Sequence, residues 1–201
     1  MSTKNVCIKD CATVLPGYSA KTALNHDPKG SVQVITAQHL TRGETYQYKQ
    51  EHIMLIAPPR FHEKYLVEPG DTLFMSRGAN NYAVLIESVP QPAIAPLTFF
   101  ILKPKSGVVP GYLAWCLNQE PVKAKLGEMR MGAGTPMIPR KEFGEIIIPL
   151  PPLAAQQRIA TLAELQTKEK FLLKQLVEET ERLHAITGRQ LLTNRIHGKQ
   201  E

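Results

Sequence analysis

The distribution of proline is the feature that most constrains this chain. Every proline lies between Pro16 and Pro152, and none follows. Because proline lacks a backbone N–H and disrupts the interior of a helix, the segment after Pro152 is where a long helix can form without a break. The sequence therefore predicts three parts: a folded domain over residues 1–150, a long helix over residues 151–194, and a short flexible tail over residues 195–201.

The C-terminal segment has the pattern of an amphipathic helix. From Leu153 to about Leu192 it contains no proline and a single glycine, Gly188, and its apolar residues recur at helical spacing. The residues of this apolar stripe are Ile159, Leu162, Leu165, Leu172, Leu173, Leu176, Val177, Leu183, Ile186 and Leu191. A helix of about 40 residues is roughly 60 Å long, which exceeds the diameter of a domain of about 150 residues. The stripe therefore needs a second protein surface to cover it.

We expect that surface to be the same helix of a second copy, packed antiparallel as a coiled coil in a homodimer. A two-fold axis would cover both stripes at once. Polar residues occupy several positions of the best heptad seam, including Gln166, Glu169 and Thr180. A helix that packs on a different protein without coiled-coil geometry is therefore an open alternative.

The first 150 residues read as short strands separated by turn chemistry. The predicted strands are Val32–Thr36, His52–Ile56, Thr72–Met75, Tyr82–Ile86, Leu97–Leu102 and Glu145–Ile148. Helices are predicted at Gly111–Asn118 and Pro121–Leu126, and Pro69-Gly70-Asp71 is a turn signal before a strand. The predicted fold class is α+β: one mixed α/β domain followed by one long C-terminal helix.

Composition narrows the function classes. The 24 Lys and Arg against 18 Asp and Glu give a net charge of +6, which is compatible with a nucleic-acid partner but does not require one. Cys7, Cys11 and Cys116 are too few and too irregularly spaced for a disulfide framework or a zinc site, so we expect buried thiols. No apolar run approaches the roughly 18 residues of a membrane span. A soluble, cytoplasmic protein with no membrane contact is expected.

The motifs of several enzyme classes are missing. The Pro-Pro pairs lack the preceding Asn or Asp and the following Tyr with which an adenine methyltransferase holds its base, and no Gly-x-Gly-x-x-Gly follows a strand. The six histidines show no metal spacing. A small nuclease using Asp10 with Asp27-Pro28-Lys29 is a weak alternative, because Pro28 would interrupt the metal-binding strand. We therefore predict no catalytic residue and no metal ligand.

Binding chemistry is concentrated first in the segment Ser76–Tyr82, which follows a predicted strand. It carries Arg77, Asn80, Asn81 and Tyr82 around a glycine. Arg can pair bidentately with guanine and Asn with adenine, and Tyr can stack or bind phosphate. We predict that these four residues contact DNA, and an ordinary hairpin turn formed by the two asparagines is the alternative.

A second segment, residues 130–141, combines small residues with positive charge. Its candidate DNA-binding residues are Arg130, Thr135, Arg140 and Lys141, and its small residues would let the backbone approach a phosphate. A solvated loop between a helix and the last strand is the alternative. Weaker candidates, because isolated surface charges are usually only solvated, are Lys21, Arg42, Arg60 and Lys64.

Four segments in this order resemble the specificity subunit of type I restriction-modification systems. Residues 146–159, Ile-Ile-Ile-Pro-Leu-Pro-Pro-Leu-Ala-Ala-Gln-Gln-Arg-Ile, are similar to that family's strand, proline hinge and helix start. Residues 69–78 resemble its Gly-Asp strand and loop, residues 111–118 its paired-helix segment, and residues 132–139 its loop rich in Gly and Ser or Thr. Members usually carry two recognition domains and two long helices, whereas this chain carries one of each, as in a half-length subunit.

The resemblance implies that the domain reads one half of a split double-stranded DNA target and performs no chemistry itself. Methylation of adenine with S-adenosylmethionine would belong to partner modification subunits, and cleavage to a partner motor-nuclease that uses ATP and Mg²⁺. No cofactor is expected on this chain. A homodimer is expected, and the alternative is a half-subunit that exchanges with or modulates a full-length specificity subunit.

Overall fold

The computed structural model describes residues 2–20, 23–57, 63–132 and 134–197, with side chains described up to Leu192. The chain divides into two compact units, and the division falls between Ala163 and Glu164 inside the C-terminal helix. In chain order, the strands are β1 (Lys4–Cys7), β2 (Ala12–Pro16), β3 (Val32–Val34), β4 (Tyr46–Gln47), β5 (Leu55–Ile56), β6 (Thr72–Met75), β7 (Ala83–Ser88), β8 (Ala93–Ile94), β9 (Phe99–Pro104) and β10 (Ile147–Leu150). The helices are α1 (Ile8–Cys11), α2 (Pro110–Leu117), α3 (Glu120–Glu128), α4 (Arg140–Glu145) and α5 (Leu153–His197).

A five-stranded sheet in the order β2-β9-β6-β7-β4 forms the centre of the domain. Its strands pair antiparallel except β4, which runs parallel to β7. Side chains alternate between two cores: Phe74 and Phe100 pack into one, while Leu73 and Ile101 pack into the other. Because both faces are covered, these strands read as continuous apolar runs rather than as an alternating pattern.

Two smaller sheets complete the domain. β1 pairs antiparallel with β10, and so joins the start of the chain to the strand before α5. β3 lies between β5, its antiparallel neighbour, and β8, its parallel neighbour, around a small third core. The helices α1 to α4 contribute to the first core, in which Phe143 contacts Phe74 at a ring-centroid distance of 4.5 Å.

The turn before β6 is held by a buried carboxylate. Gly70 adopts a φ of +95°, a conformation that favours glycine, and Asp71 follows it. The Asp71 carboxylate accepts a hydrogen bond from the Glu68 backbone N–H at 2.9 Å and pairs with the Lys103 ammonium at 2.9 Å. Burial raises the pKa of Asp71, and the contact with Lys103 opposes that shift. The Pro-Gly-Asp signal thus fixes where β6 begins.

The first turn of α5 is fastened to the domain by Gln156, which is 1 % exposed. Its Nε2 donates to the carbonyls of Gly107 and Pro151 at 3.1 and 2.8 Å, and its Oε1 accepts from the Val109 N–H at 2.9 Å. At Gly111 an added Cβ would lie 3.2 Å from the Ala160 Cβ, so glycine allows α2 to approach α5 closely. These contacts give a physical reason for two of the motifs noted in the sequence.

The predicted mixed domain and long C-terminal helix are confirmed, with differences at the edges. β6 has the predicted bounds, and the other predicted strands and helices are present with shifted ends. The opening β1, α1 and β2 were not predicted. The helix continues to His197, beyond the predicted end, so residues 195–197 are helical and residues 198–201 lie outside the described part.

Two further sequence expectations concern side-chain burial and membrane contact. Cys11 and Cys116 are buried free thiols, as expected, and burial raises the pKa of Cys11 to about 11; Cys7 is half-buried. Ile159, which we expected in the dimer stripe, packs instead against the first core of its own domain, because it lies on the turn of α5 nearest to Gln156. Among the described residues, no helix combines the length and apolar character needed to cross a bilayer.

Gln156→Ala should destabilise the domain, because it leaves two carbonyls and one N–H without their partner. We expect the free energy of unfolding to fall by about 2 kcal/mol. Gln157→Ala, an exposed neighbour on the same turn, serves as the matched control and should change it by less than about 0.5 kcal/mol. Urea denaturation of both variants measures the difference, and equal midpoints would contradict the fastening role of Gln156.

Candidate nucleic-acid interface

The two segments predicted to bind DNA lie side by side, although 47 residues separate them in the sequence. The Gly78 N–H donates to the Pro136 carbonyl at 2.8 Å, and the Ile138 N–H donates to the Ser76 carbonyl at 2.9 Å. These bonds flank an antiparallel bridge between Arg77 and Met137. The first loop is thereby held against the second by backbone contacts.

A third stretch of backbone joins this pair. Met131 and Met137 exchange two backbone hydrogen bonds, each 2.9 Å long, and form a second antiparallel bridge. We call residues 76–78, 136–138 and Met131 together the ribbon. Directly opposed residues of antiparallel segments project to the same face, so Arg77, Met137 and Met131 lie abreast on one face of the ribbon.

Arg77 is the arginine that the sequence predicts to read a base, and it lies in the bridge between the two segments. It is half-exposed, and within the described part of the chain no hydrogen bond or ion pair engages its guanidinium. Gly78, which follows it, adopts a φ of +90° and so allows the sharp change of direction after the bridge. Arg77 can therefore direct the N–H donors of its guanidinium group toward solvent or a bound ligand.

Asn81 has a different role from the one predicted. It is 7 % exposed, its Nδ2 donates to the Met75 carbonyl at 2.9 Å, and its Oδ1 accepts from the Arg130 Nε at 2.9 Å. Both ends of its amide are therefore used inside the protein, and the expectation that it contacts a base is corrected. Asn81 positions Arg130, while Asn80 beside it is exposed, and its predicted contact with DNA stays a prediction.

Tyr82 also differs from the expectation of a freely stacking phenol. Its ring is half-buried against the second core, and burial raises the pKa of its hydroxyl. Its backbone carbonyl accepts a hydrogen bond from the Met75 N–H at 2.9 Å. The next residue, Ala83, exchanges hydrogen bonds of 3.0 and 2.7 Å with the side chain of Asn118. Asn118, which we did not single out for this role, thus fixes the end of the loop to α2.

The other candidate residues of the second segment, Thr135, Arg140 and Lys141, are exposed. Thr135 follows Gly134 in the loop between Met131 and Met137. Arg140 begins α4 and its Nη1 donates to the Val14 carbonyl at 3.2 Å, and Lys141 comes next. These two cations follow directly on the ribbon in the sequence and retain solvent-facing charge.

The four weaker candidates are not joined to the ribbon by any described contact. Arg42 is 3.9 Å from a carboxylate oxygen of Glu120 on α3, and Lys64 lies over the ring of Tyr65 at 5.0 Å. Lys21 and Arg60 lie outside the described residues. The prediction that these four contact DNA stays a prediction.

The possible nuclease carboxylates do not form a metal site in the described ranges. No group of three or more His, Cys, Asp or Glu residues there is arranged to hold a metal ion. Asp27 accepts the Lys29 N–H at 2.9 Å and so stabilises its own turn. Its carboxylate is occupied by a local structural contact.

Comparison with solved structures supports the fold. The chain is similar to one described as "Structural basis underlying complex assembly and conformational transition of the type I R-M system", with a TM-score of 0.64, 18% identity, and coverage of 90% of this chain and 42% of that one. It is also similar to the HsdS subunit from Thermoanaerobacter tengcongensis (TM-score 0.62, 16% identity, coverage 86% and 39%). For the type I restriction-modification S subunit from M. genitalium the TM-score is 0.59, the identity 12% and the coverage 91% and 44%. The chain spans less than half the length of each.

The sequence itself carries a family signature. No curated protein gives a significant match. The family model described as the type I restriction modification DNA specificity domain, however, matches residues 2–179, which include the whole folded domain and much of α5. On the strength of this match, with the fold in agreement, the chain belongs to the type I restriction-modification DNA specificity family.

Proposed function

We propose that this chain is the DNA-recognition subunit of a type I restriction-modification complex and that the ribbon reads bases of its target. The observation that carries the proposal is the pairing of the two predicted binding loops through backbone hydrogen bonds, with Arg77 on the shared face. A preorganised surface loses little conformational entropy on binding. Membership of the specificity family supports the same role.

The chemistry of the complex is assigned to other chains. An adenine methyltransferase that uses S-adenosylmethionine and a motor-nuclease that uses ATP and Mg²⁺ would be directed to the target by this subunit, which is non-catalytic itself. The ribbon carries the guanidinium of Arg77 as a donor and cation, and no group of three or more His, Cys, Asp or Glu in the described ranges could hold a metal ion. Hydrogen-bond donors and positive charge are the groups that a DNA-recognition surface needs.

The exposed stripe of α5 is proposed to pair with the same helix of a second copy. Its apolar residues from Leu162 onward are between 43% and 67% exposed, and Phe171, which we did not predict, is among them at 52%. The helix has 45 residues, so it is roughly 68 Å long. An antiparallel pair buries both stripes, and its two-fold axis makes the two recognition domains read identical, inverted half-sites.

Arg77→Ala should relax specificity at one base pair of the target. The full-length protein is incubated with randomised DNA duplexes, and the bound duplexes are sequenced. A bidentate arginine contact to guanine is worth about 1–3 kcal/mol, so the variant should lose a preference of about fivefold or more for one guanine. Arg182→Ala on α5 removes the same charge and should leave the enriched motif unchanged. If the Arg77 variant kept every base preference of the wild type, the role of Arg77 in reading a base would be contradicted.

Asn81→Ala should loosen the loop without removing a DNA contact. The substitution leaves the Met75 carbonyl and the Arg130 Nε without their partner, and we expect a loss of about 1–2 kcal/mol in the free energy of unfolding. Asn80→Ala, at the exposed neighbouring position, should cost less than about 0.5 kcal/mol. Guanidinium denaturation tests the pair, and a larger loss in the Asn80 variant would contradict the assignment.

Replacing Leu173, Leu176 and Leu183 with Asp should convert the dimer to a monomer. Buried unpaired carboxylates are strongly unfavourable, and a total cost of only about 4 kcal/mol raises the dissociation constant about a thousandfold. The control replaces Lys168, Gln175 and Arg182 with Asp, since these residues are spaced seven apart and lie outside the seam of the three leucines. Analytical ultracentrifugation should find a dimer for the control only. An unchanged mass after the leucine substitutions would refute the seam.

A further inference from the structure

Two methionines are exposed on the ribbon, where an apolar side chain gains nothing from water. Met131 is 62% exposed and Met137 is 42% exposed, whereas Met75 in the neighbouring strand β6 is 9% exposed. Adjacent large apolar side chains on a surface indicate a contact that the isolated chain does not make. The role proposed for the ribbon so far uses Arg77 and leaves these two thioethers without a function.

The backbone around these methionines is fixed. Met131 and Met137 donate to and accept from each other, and the bridge from Met137 to Arg77 is closed on both sides by the bonds of Gly78 and Ile138. The two methionine side chains therefore project to one face, beside Arg77. Their backbone is fixed, but their flexible thioether side chains can adapt to a bound surface.

The dimensions of the ribbon fit the major groove of DNA. The groove is about 12 Å wide and admits a two-stranded β-ribbon. Residues 76–78 and 136–138 form such a pair, with hydrogen-bonded segments about 4.8 Å apart, and Met131 lies at its edge. Arg77 lies beside the methionines on this face, which makes the face complementary to a polyanion. Arg130, Arg140 and Lys141 add positive charge in the adjoining parts of the chain. Double-stranded DNA is therefore favoured over an apolar protein surface as its occupant.

Within the major groove the apolar feature of the base edges is the C5-methyl group of thymine. We propose that Met131 and Met137 read thymine by packing against this methyl group, next to the base pair contacted by Arg77. This inference rests on the proposed DNA-recognition function and adds the base and the side chains that select it.

The test uses duplexes that the full-length wild-type protein enriches from a randomised pool. Each thymine of the enriched motif is replaced in turn by deoxyuracil, which lacks the methyl group and keeps the hydrogen-bonding edge. Burial of one methyl group corresponds to about a fourfold change in binding constant, so the wild type should bind about fourfold more weakly at one or two positions. The double variant Met131→Ala with Met137→Ala should bind the thymine and deoxyuracil duplexes equally.

The double variant Met131→Leu with Met137→Leu is the matched control and should keep a preference for thymine, because leucine is also apolar. Circular dichroism melting establishes that the variants fold, as expected for exposed positions. Two results would overturn the thymine contact and leave DNA recognition in place. The wild type could bind equally well with deoxyuracil at every thymine position, or the alanine variant could still prefer thymine over deoxyuracil. If the wild type enriched no sequence motif, the proposed DNA recognition would be overturned, and the thymine contact would be overturned with it.

Discussion

The candidate binding surface depends on the backbone hydrogen bonds that join two loops from distant parts of the chain. Bringing such segments together costs conformational entropy, and the domain offsets that cost by burying the elements on either side. Strand β6 leads directly into the first loop and is buried throughout, while α4 follows the second and inserts Phe143 into the first core. With both loop ends fixed, the bonds of Gly78 and Ile138 set which residues share a face.

The long helix depends on a second set of fixed contacts. Gln156 satisfies backbone groups of Gly107 and Val109, just before α2 begins, and Gly111 lets the two helices approach. The first turns of α5 consequently belong to the recognition domain, whereas its later apolar residues are exposed. The same helix therefore has a packed start and an exposed remainder, and Gln156 lies in the packed part.

Sequence reasoning found the features that arise from strong local signals. The proline-free segment predicted α5 and the Pro-Gly-Asp turn predicted the start of β6. The choice of the two loops as binding segments, made from their residue types, stays a prediction. What could not be read locally is the partner of each side chain. Asn80 and Asn81 have the same chemistry, but only Asn81 lies where Arg130 and the Met75 carbonyl can engage it. Likewise, the strands β1 and β2 are short and depend on pairing with β10 and β9, far along the chain. The exposure of Met131 and Met137 is also a tertiary property, since methionine is usually buried.

The central claim is that two identical recognition domains, held by paired α5 helices, read one DNA target. The most direct measurement is a map of methylated adenines in the genome of cells that carry this protein with an adenine methyltransferase partner. The account predicts a split target whose two halves are inverted copies of one sequence, and whose methylation disappears when the gene for this chain is deleted. A target with two unlike halves would contradict the symmetric dimer.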